Sequence, residues 1–178
     1  MKDNIENRLG ERRIMKCGEE AEIVEYKGVR NIVVKFLKTD ELVRCNYKQF
    51  KERAIKSHFT STVYGMGIVG LEKTKENRKL LKSYKTWHGM LRRCYDLKLQ
   101  ERYPTYKDCS VCNEWLYYKN FKEWYKENYY EIESQKMALD KDILVKGNKV
   151  YSPNNCIFVP QGINSLFIKR QNDRGEYQ

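Results

Sequence analysis

The chain has 178 residues and carries 35 Lys and Arg against 24 Asp and Glu, a formal net charge of +11. That length suits one domain or two small ones. No apolar run approaches the ~20 residues needed to span a bilayer, and the polar N-terminus lacks an apolar signal core, so a cytoplasmic location without membrane attachment is expected.

Residues 1–13 are charged and aperiodic and read as a flexible arm. Residues 21–26 and 31–36 read as strands joined by a hairpin loop at 27–30, and residues 42–47 alternate apolar and polar as a third strand. Short strands with tight connections predict a small antiparallel β barrel or sheet over residues 14–70. Residues 63–70 are expected to close it, their glycines permitting tight turns and close backbone approach. Residues 71–86 read as a basic linker. Tyr84, Trp87, Met90, Leu91 and Tyr95 then recur at spacings of three and four, one face of a helix, with Arg92 and Arg93 on other faces. Residues 113–130 predict a second helical stretch anchored by Trp115, Phe121, Trp124 and Tyr125, with Pro104 breaking the chain between the two. Residues 137–140 and 149–151 read as paired strands joined across 145–148, and residues 154–167 as a strand end and a final helix. The fold class is therefore α+β.

A surface this basic attracts polyanions, because each neutralised phosphate releases counterions. The interleaving of Lys and Arg with 14 Tyr and 3 Trp favours nucleic acid over a mere solubility charge. Residues 71–110 hold 11 basic and 5 acidic side chains, so 11 − 5 leaves +6. Lys82, Lys85, Arg92 and Arg93 form a local cationic face there, read as DNA-contacting rather than as an ordinary solvated helix surface.

Asp140 and Asp142 stand at i and i+2 on one expected strand, which puts both carboxylates on the same side. Asn155 and Asn164 follow. Carboxylate and amide oxygens are hard ligands that suit Mg²⁺ or Mn²⁺, although Asp and Asn are equally at home capping turns. Six cysteines in a reducing compartment read as thiols or metal ligands. Cys109 and Cys112 form a C-x-x-C pair, and with Cys94 and Cys156 they could hold a structural zinc; the alternative is that they are small buried apolar residues. Cys17 and Cys45 are expected to pack within the β unit. His58 carries no assigned role, and His88 reads as a surface or packing residue.

Several pieces carry a resemblance when taken in order. They are Trp87 through Met90 to Arg93-Cys94-Tyr95, then Val111-Cys112-Asn113-Glu114-Trp115, Phe121 and Trp124. Leu139-Asp140-Lys141-Asp142, Tyr151-Ser152-Pro153-Asn154-Asn155-Cys156 and Ile163-Asn164 complete the series. This order resembles the phage HNH (ββα-metal, His-Me finger) endonucleases of homing type. The resemblance implies a helical ββα-metal-like domain over residues 87–170, hydrolysing DNA phosphodiesters with Mg²⁺ or Mn²⁺. It implies that Asp140 and Asn164 ligate the metal and that Asn155 fixes the loop geometry. Lys141 stands where the signature has its base histidine; an ammonium there would hold a phosphate oxygen, leaving the base role to Asp142, Tyr151 or His88. Arg174-Gly175-Glu176-Tyr177, within the tail at 171–178, resembles the opening of an ethylene-response-factor-type DNA-binding domain, so a truncated copy of a longer arrangement is expected. The lysine at the base position keeps an alternative open, a catalytically inactive DNA-binding module that retains the fold. A β-barrel interaction protein is a third reading, and it leaves the C-terminal pattern unexplained.

Overall fold

Alternation of apolar residues at every second position builds the first part of the chain. Strands β1 (Arg12–Ile14), β2 (Glu20–Tyr26), β3 (Ile32–Phe36) and β4 (Leu42–Cys45) form one antiparallel sheet in the order β1-β2-β3-β4. Ile32, Val34 and Phe36 of β3 are fully buried on one side of it. Strand β2 departs from strict alternation because its register against β3 shifts between Ile23 and Glu25. The extra residue, Val24, is pushed outward, so Tyr26 rather than Glu25 turns into the core. The structure, a computed structural model, describes residues 8–172. Within the arm expected at 1–13, Arg12 and Arg13 instead belong to a strand paired with β2, and residues 1–7 lie outside the described part.

The third strand also stops early. Asn46 ends β4 and caps helix α1 (Tyr47–Lys51): its Oδ1 accepts from Gln49 N at 2.8 Å, and Gln49 Oε1 accepts from Asn46 N at 3.1 Å. This reciprocal cap ends the strand pattern. Phe50 of α1 joins Met15, Ile23, Tyr26, Val34, Phe36 and Cys45 in a core that Cys17 flanks, as expected for both cysteines. The sheet is open, not a barrel.

The chain divides into two compact units. One comprises the residues up to Thr62 with Ile68–Leu71; the other comprises Val63–Gly67 and the residues from Glu72 onward. Val63–Gly67 therefore belongs to the second unit rather than closing the first. A Cβ on Gly67 would collide with Leu91 Cδ1 and come within 2.8 Å of Trp87 Cη2, so only glycine lets this backbone lie on the helix. Residues 71–86 are not a plain linker either: β5 (Lys75–Glu76) pairs with β6 (Lys79–Leu80), and helix α2 (Lys82–Tyr95) starts five residues before the expected domain edge.

Helix α2 buries Trp87, Met90, Leu91 and Cys94, the stripe expected from the sequence with Cys94 added; Tyr84 and Tyr95 are half-buried at its margins. It is followed by α3 (Leu97–Arg102), a 3₁₀ turn at Pro104–Tyr106, β7 (Ser110–Val111), a second 3₁₀ turn at Asn113–Leu116, and α4 (Tyr118–Asn128). Trp87 Nε1 donates to the Trp115 carbonyl at 2.7 Å, and Ser83 Oγ shares a 2.8 Å hydrogen bond with Tyr118 Oη. These buried polar ends are thereby satisfied while the rings pack.

The last third pairs differently from expectation. Strand β8 (Met137–Asp140) lies antiparallel to β10 (Ile157–Pro160), with Asp140 opposite Ile157. Strand β9 (Val150–Tyr151) does not fold back on β8 but runs parallel to β7, with Val111 opposite Tyr151. Helix α5 (Gln161–Asn172) follows β10 without an intervening loop. Two antiparallel strands thus lead into a helix, with the segment between the strands reaching out to β7. Arg174 to Tyr177 lie outside the described residues.

Candidate functional site

Within the second unit, α2, the end of β8, Tyr151 and the start of α5 surround a cleft of about 470 Å³. Lys85, Gly89 and Arg93, spaced by four along α2, form one wall, and Asp140, Asp142 and Asn164 stand among the other lining groups.

Asp140 is the last residue of its strand, so the carboxylates of Asp140 and Asp142 are not two positions of one strand face. Asp140 Oδ1 accepts from the backbone N–H groups of Asp142 at 2.7 Å and Ile143 at 2.8 Å. The strand is bent there by a side chain that satisfies the freed amides. Among the described residues Asp140 has no ion-pair partner, and it lines the cleft.

Lys141 corrects the sequence reading. It is 5 % exposed, and its ammonium donates to Asp142 Oδ1 and Oδ2, each at 2.8 Å, and to the Asn148 carbonyl at 2.7 Å. An ammonium has three donors, and these contacts engage them within the protein, while Lys141 also counts among the residues lining the cleft. It pins the loop that follows β8. Asn148 is the hub of that loop: its Nδ2 donates to the carbonyls of Lys141 at 2.9 Å and Val150 at 2.7 Å, and its Oδ1 accepts from Val150 N at 3.1 Å. Asn155 Nδ2 donates to Asn148 Oδ1 at 3.3 Å. Asn155 is not among the residues lining the cleft and is tied to the loop through Asn148. Sequence reasoning passed over Asn148; the available signal was an amide directly after Gly147, whose φ of 75° marks a turn.

Asn164, half-buried on the first turn of α5, lines the cleft, and its Oδ1 is buried without a hydrogen-bond partner. A buried amide oxygen left unpaired is costly, and water or a cation would satisfy it. Asp140 and Asn164 offer one carboxylate and one amide oxygen, a donor set that fits a hard divalent ion completed by water and phosphate oxygens.

The cationic residues separate into two groups. Lys85 and Arg93 line the cleft; Lys82 is paired with Glu131 and Arg92 with Asp96, outside it. Arg93 is held in place: its Nε donates to Tyr151 Oη at 2.9 Å, and its guanidinium lies 5.3 Å from the Tyr151 ring centre and 6.0 Å from that of Tyr106. Of the bases considered, Tyr151 is buried, which raises its phenol pKa, and its oxygen accepts from Arg93 Nε. His88 is not among the residues lining the cleft. It rests on Tyr64 and Tyr84, and burial together with Arg92 lowers its pKa. Asp142 lines the cleft, with both carboxylate oxygens accepting from Lys141.

Cys94, Cys109 and Cys156 are buried and Cys112 half-buried. Burial pushes the Cys94 and Cys156 thiols up to about 12, with Cys109 and Cys156 adding to the rise at Cys94. The four are brought into one neighbourhood. Among the described residues no three His, Cys, Asp or Glu side chains are gathered as a metal-holding group.

No protein-family model matches the chain, and neither does any curated protein or solved structure. No helix among the described residues is long and apolar enough to cross a membrane.

Proposed function

We propose that the chain is a DNA-binding, divalent-metal-dependent endonuclease of HNH-like design. One observation carries this reading: Asp140, a carboxylate with no ion-pair partner among the described residues, and the unpartnered buried amide oxygen of Asn164 line the same cleft as Lys85 and Arg93. The succession of two antiparallel strands and a helix around that cleft supports it. A Mg²⁺ or Mn²⁺ ion between Asp140 and Asn164 would supply Lewis-acid stabilisation of charge building on a scissile phosphate. Lys85 and Arg93 bind and orient the backbone, Arg93 at little entropic cost because Tyr151 already holds it. Asp142 keeps lone pairs beyond the two that clasp Lys141, and so can orient a water and accept its proton.

Nicking of supercoiled plasmid tests this. Wild type is expected to nick with Mg²⁺ or Mn²⁺ and not in EDTA, Asp140→Ala to be inactive, and Asn164→Ala to be reduced roughly a hundredfold. If no divalent ion supports nicking while DNA is still bound, the enzyme reading fails and the catalytically inactive binding module stands. The engaged Lys141 at the expected base position favours that second reading. A structural zinc on Cys94, Cys109, Cys112 and Cys156 is a separate proposal for this unit. Elemental analysis giving about one zinc per chain would support it, and an unchanged Tm in chelator would refute it.

A further inference from the structure

We infer that Gly89 is a DNA contact point: the helix backbone between Lys85 and Arg93 is left bare so that one phosphate can seat directly on α2, held by both cations. This rests on the nucleic-acid reading of the cleft.

Three observations lead to it. Gly89 lies in the middle of a 14-residue helix, where glycine is unfavourable because it gains no side-chain packing and loses the most backbone freedom. Packing does not demand it there. A Cβ at Gly89 would meet only Arg93 Nη1, at 3.9 Å, an ordinary contact, in contrast to Gly67, where a Cβ would collide. The position is also not neutral surface: Gly89 lines the cleft, one turn from Lys85 on one side and from Arg93 on the other. Helical side chains lean toward the helix N-terminus, which brings the Arg93 fork back over Gly89. With Nε committed to Tyr151, its terminal nitrogens are the ones near that bare patch. A phosphate oxygen seated at Gly89 would therefore lie within reach of the Arg93 fork, and the flexible Lys85 stem can close on it from the preceding turn. A methyl group at Gly89 would fill the seat without disturbing the fold.

The test uses the full chain and a fluorescein-labelled duplex of random sequence, with Ca²⁺ present to withhold cleavage. Gly89→Ala is expected to raise Tm by a few degrees and to weaken duplex binding about tenfold, the size of one lost charge-assisted contact. Gly89→Leu weakens it further with Tm not lowered. Lys85→Ala reduces affinity and lowers the salt slope by about one unit, whereas Lys82→Ala, outside the cleft, changes affinity much less. Wild-type affinity in Gly89→Ala and Gly89→Leu overturns the inference while leaving the cleft intact as a binding site. Unfolding of Gly89→Ala overturns it too, since the glycine would then be required by packing. If instead wild type binds no duplex, or Lys85→Ala and Arg93→Ala leave binding unchanged, the nucleic-acid reading itself falls.

Discussion

Replacing Lys141 by Met removes the ammonium while keeping the length and most of the volume of the side chain. Asp142 then loses two charge-assisted hydrogen bonds, and the Asn148 carbonyl loses its donor. Breaking a buried ion pair costs about 3–5 kcal/mol when the remaining charge is dry. Here the Lys141 side chain is 6 % exposed but that of Asp142 is 32 % exposed, so the stranded carboxylate recovers part of its hydration. Adding the unsatisfied carbonyl brings the expected loss to about 2–4 kcal/mol, or a fall in Tm of about 10–20 °C for a unit of this size. Trp87, Trp115 and Trp124 all lie in the second unit, so tryptophan fluorescence during urea or thermal unfolding reports on that unit alone. The double variant Lys141→Met with Asp142→Ala, having no stranded charge, should recover at least ~1 kcal/mol relative to the single one. A single-variant loss below ~0.5 kcal/mol, or a double variant no better than the sum of the singles, would refute the argument that Lys141 is an internal pin.

Gly67→Ala should destabilise the second unit by about 1–3 kcal/mol, because its Cβ collides with Leu91 and Trp87; full stability on urea titration would contradict that packing. In the first unit, Glu41 accepts from His58 N at 2.7 Å and from His58 Nδ1. Burial works against the Glu41 carboxylate, yet the bonds from His58 and Ser57 outweigh it and hold its pKa below the usual 4.5. A carboxyl depressed on folding contributes stability that is present above its unfolded pKa and lost as pH falls through the folded one. Wild type should therefore lose stability below about pH 4.5, and Glu41→Gln should flatten that limb in far-UV circular dichroism; an unchanged acid limb would dismiss the pair. Thiol titration of the native protein should find Cys94 and Cys156 slow, since burial pushes both up to about 12; rapid reaction there at neutral pH would show that the region opens.

Much of this architecture is written in local periodicity. The burial of Ile32, Val34 and Phe36 follows from a period of two, and that of Trp87, Met90 and Leu91 from a period of 3.6; both depend only on neighbours in the chain. The membership of the site was also partly legible, because Asp140, Asp142, Asn164, Lys85 and Arg93 do line one cleft.

Tertiary pairing decided the rest. Nothing within residues 149–151 specifies whether they return to β8 or run beside β7, and the parallel pairing with Ser110–Val111 is a long-range choice. That choice sends the chain away after Asp140, so Asp140 caps a bend and Asp142 leaves the strand face that alternation alone assigns to it. It also brings the Asn148 carbonyl and Asp142 around Lys141 and buries a cation that, read as a motif position, should face a phosphate. The division of Lys82, Lys85, Arg92 and Arg93 has the same origin. All four share one short stretch of helix, and what separates them is which elements pack beside α2, so that Glu131 and Asp96 claim two of them and the cleft receives the others.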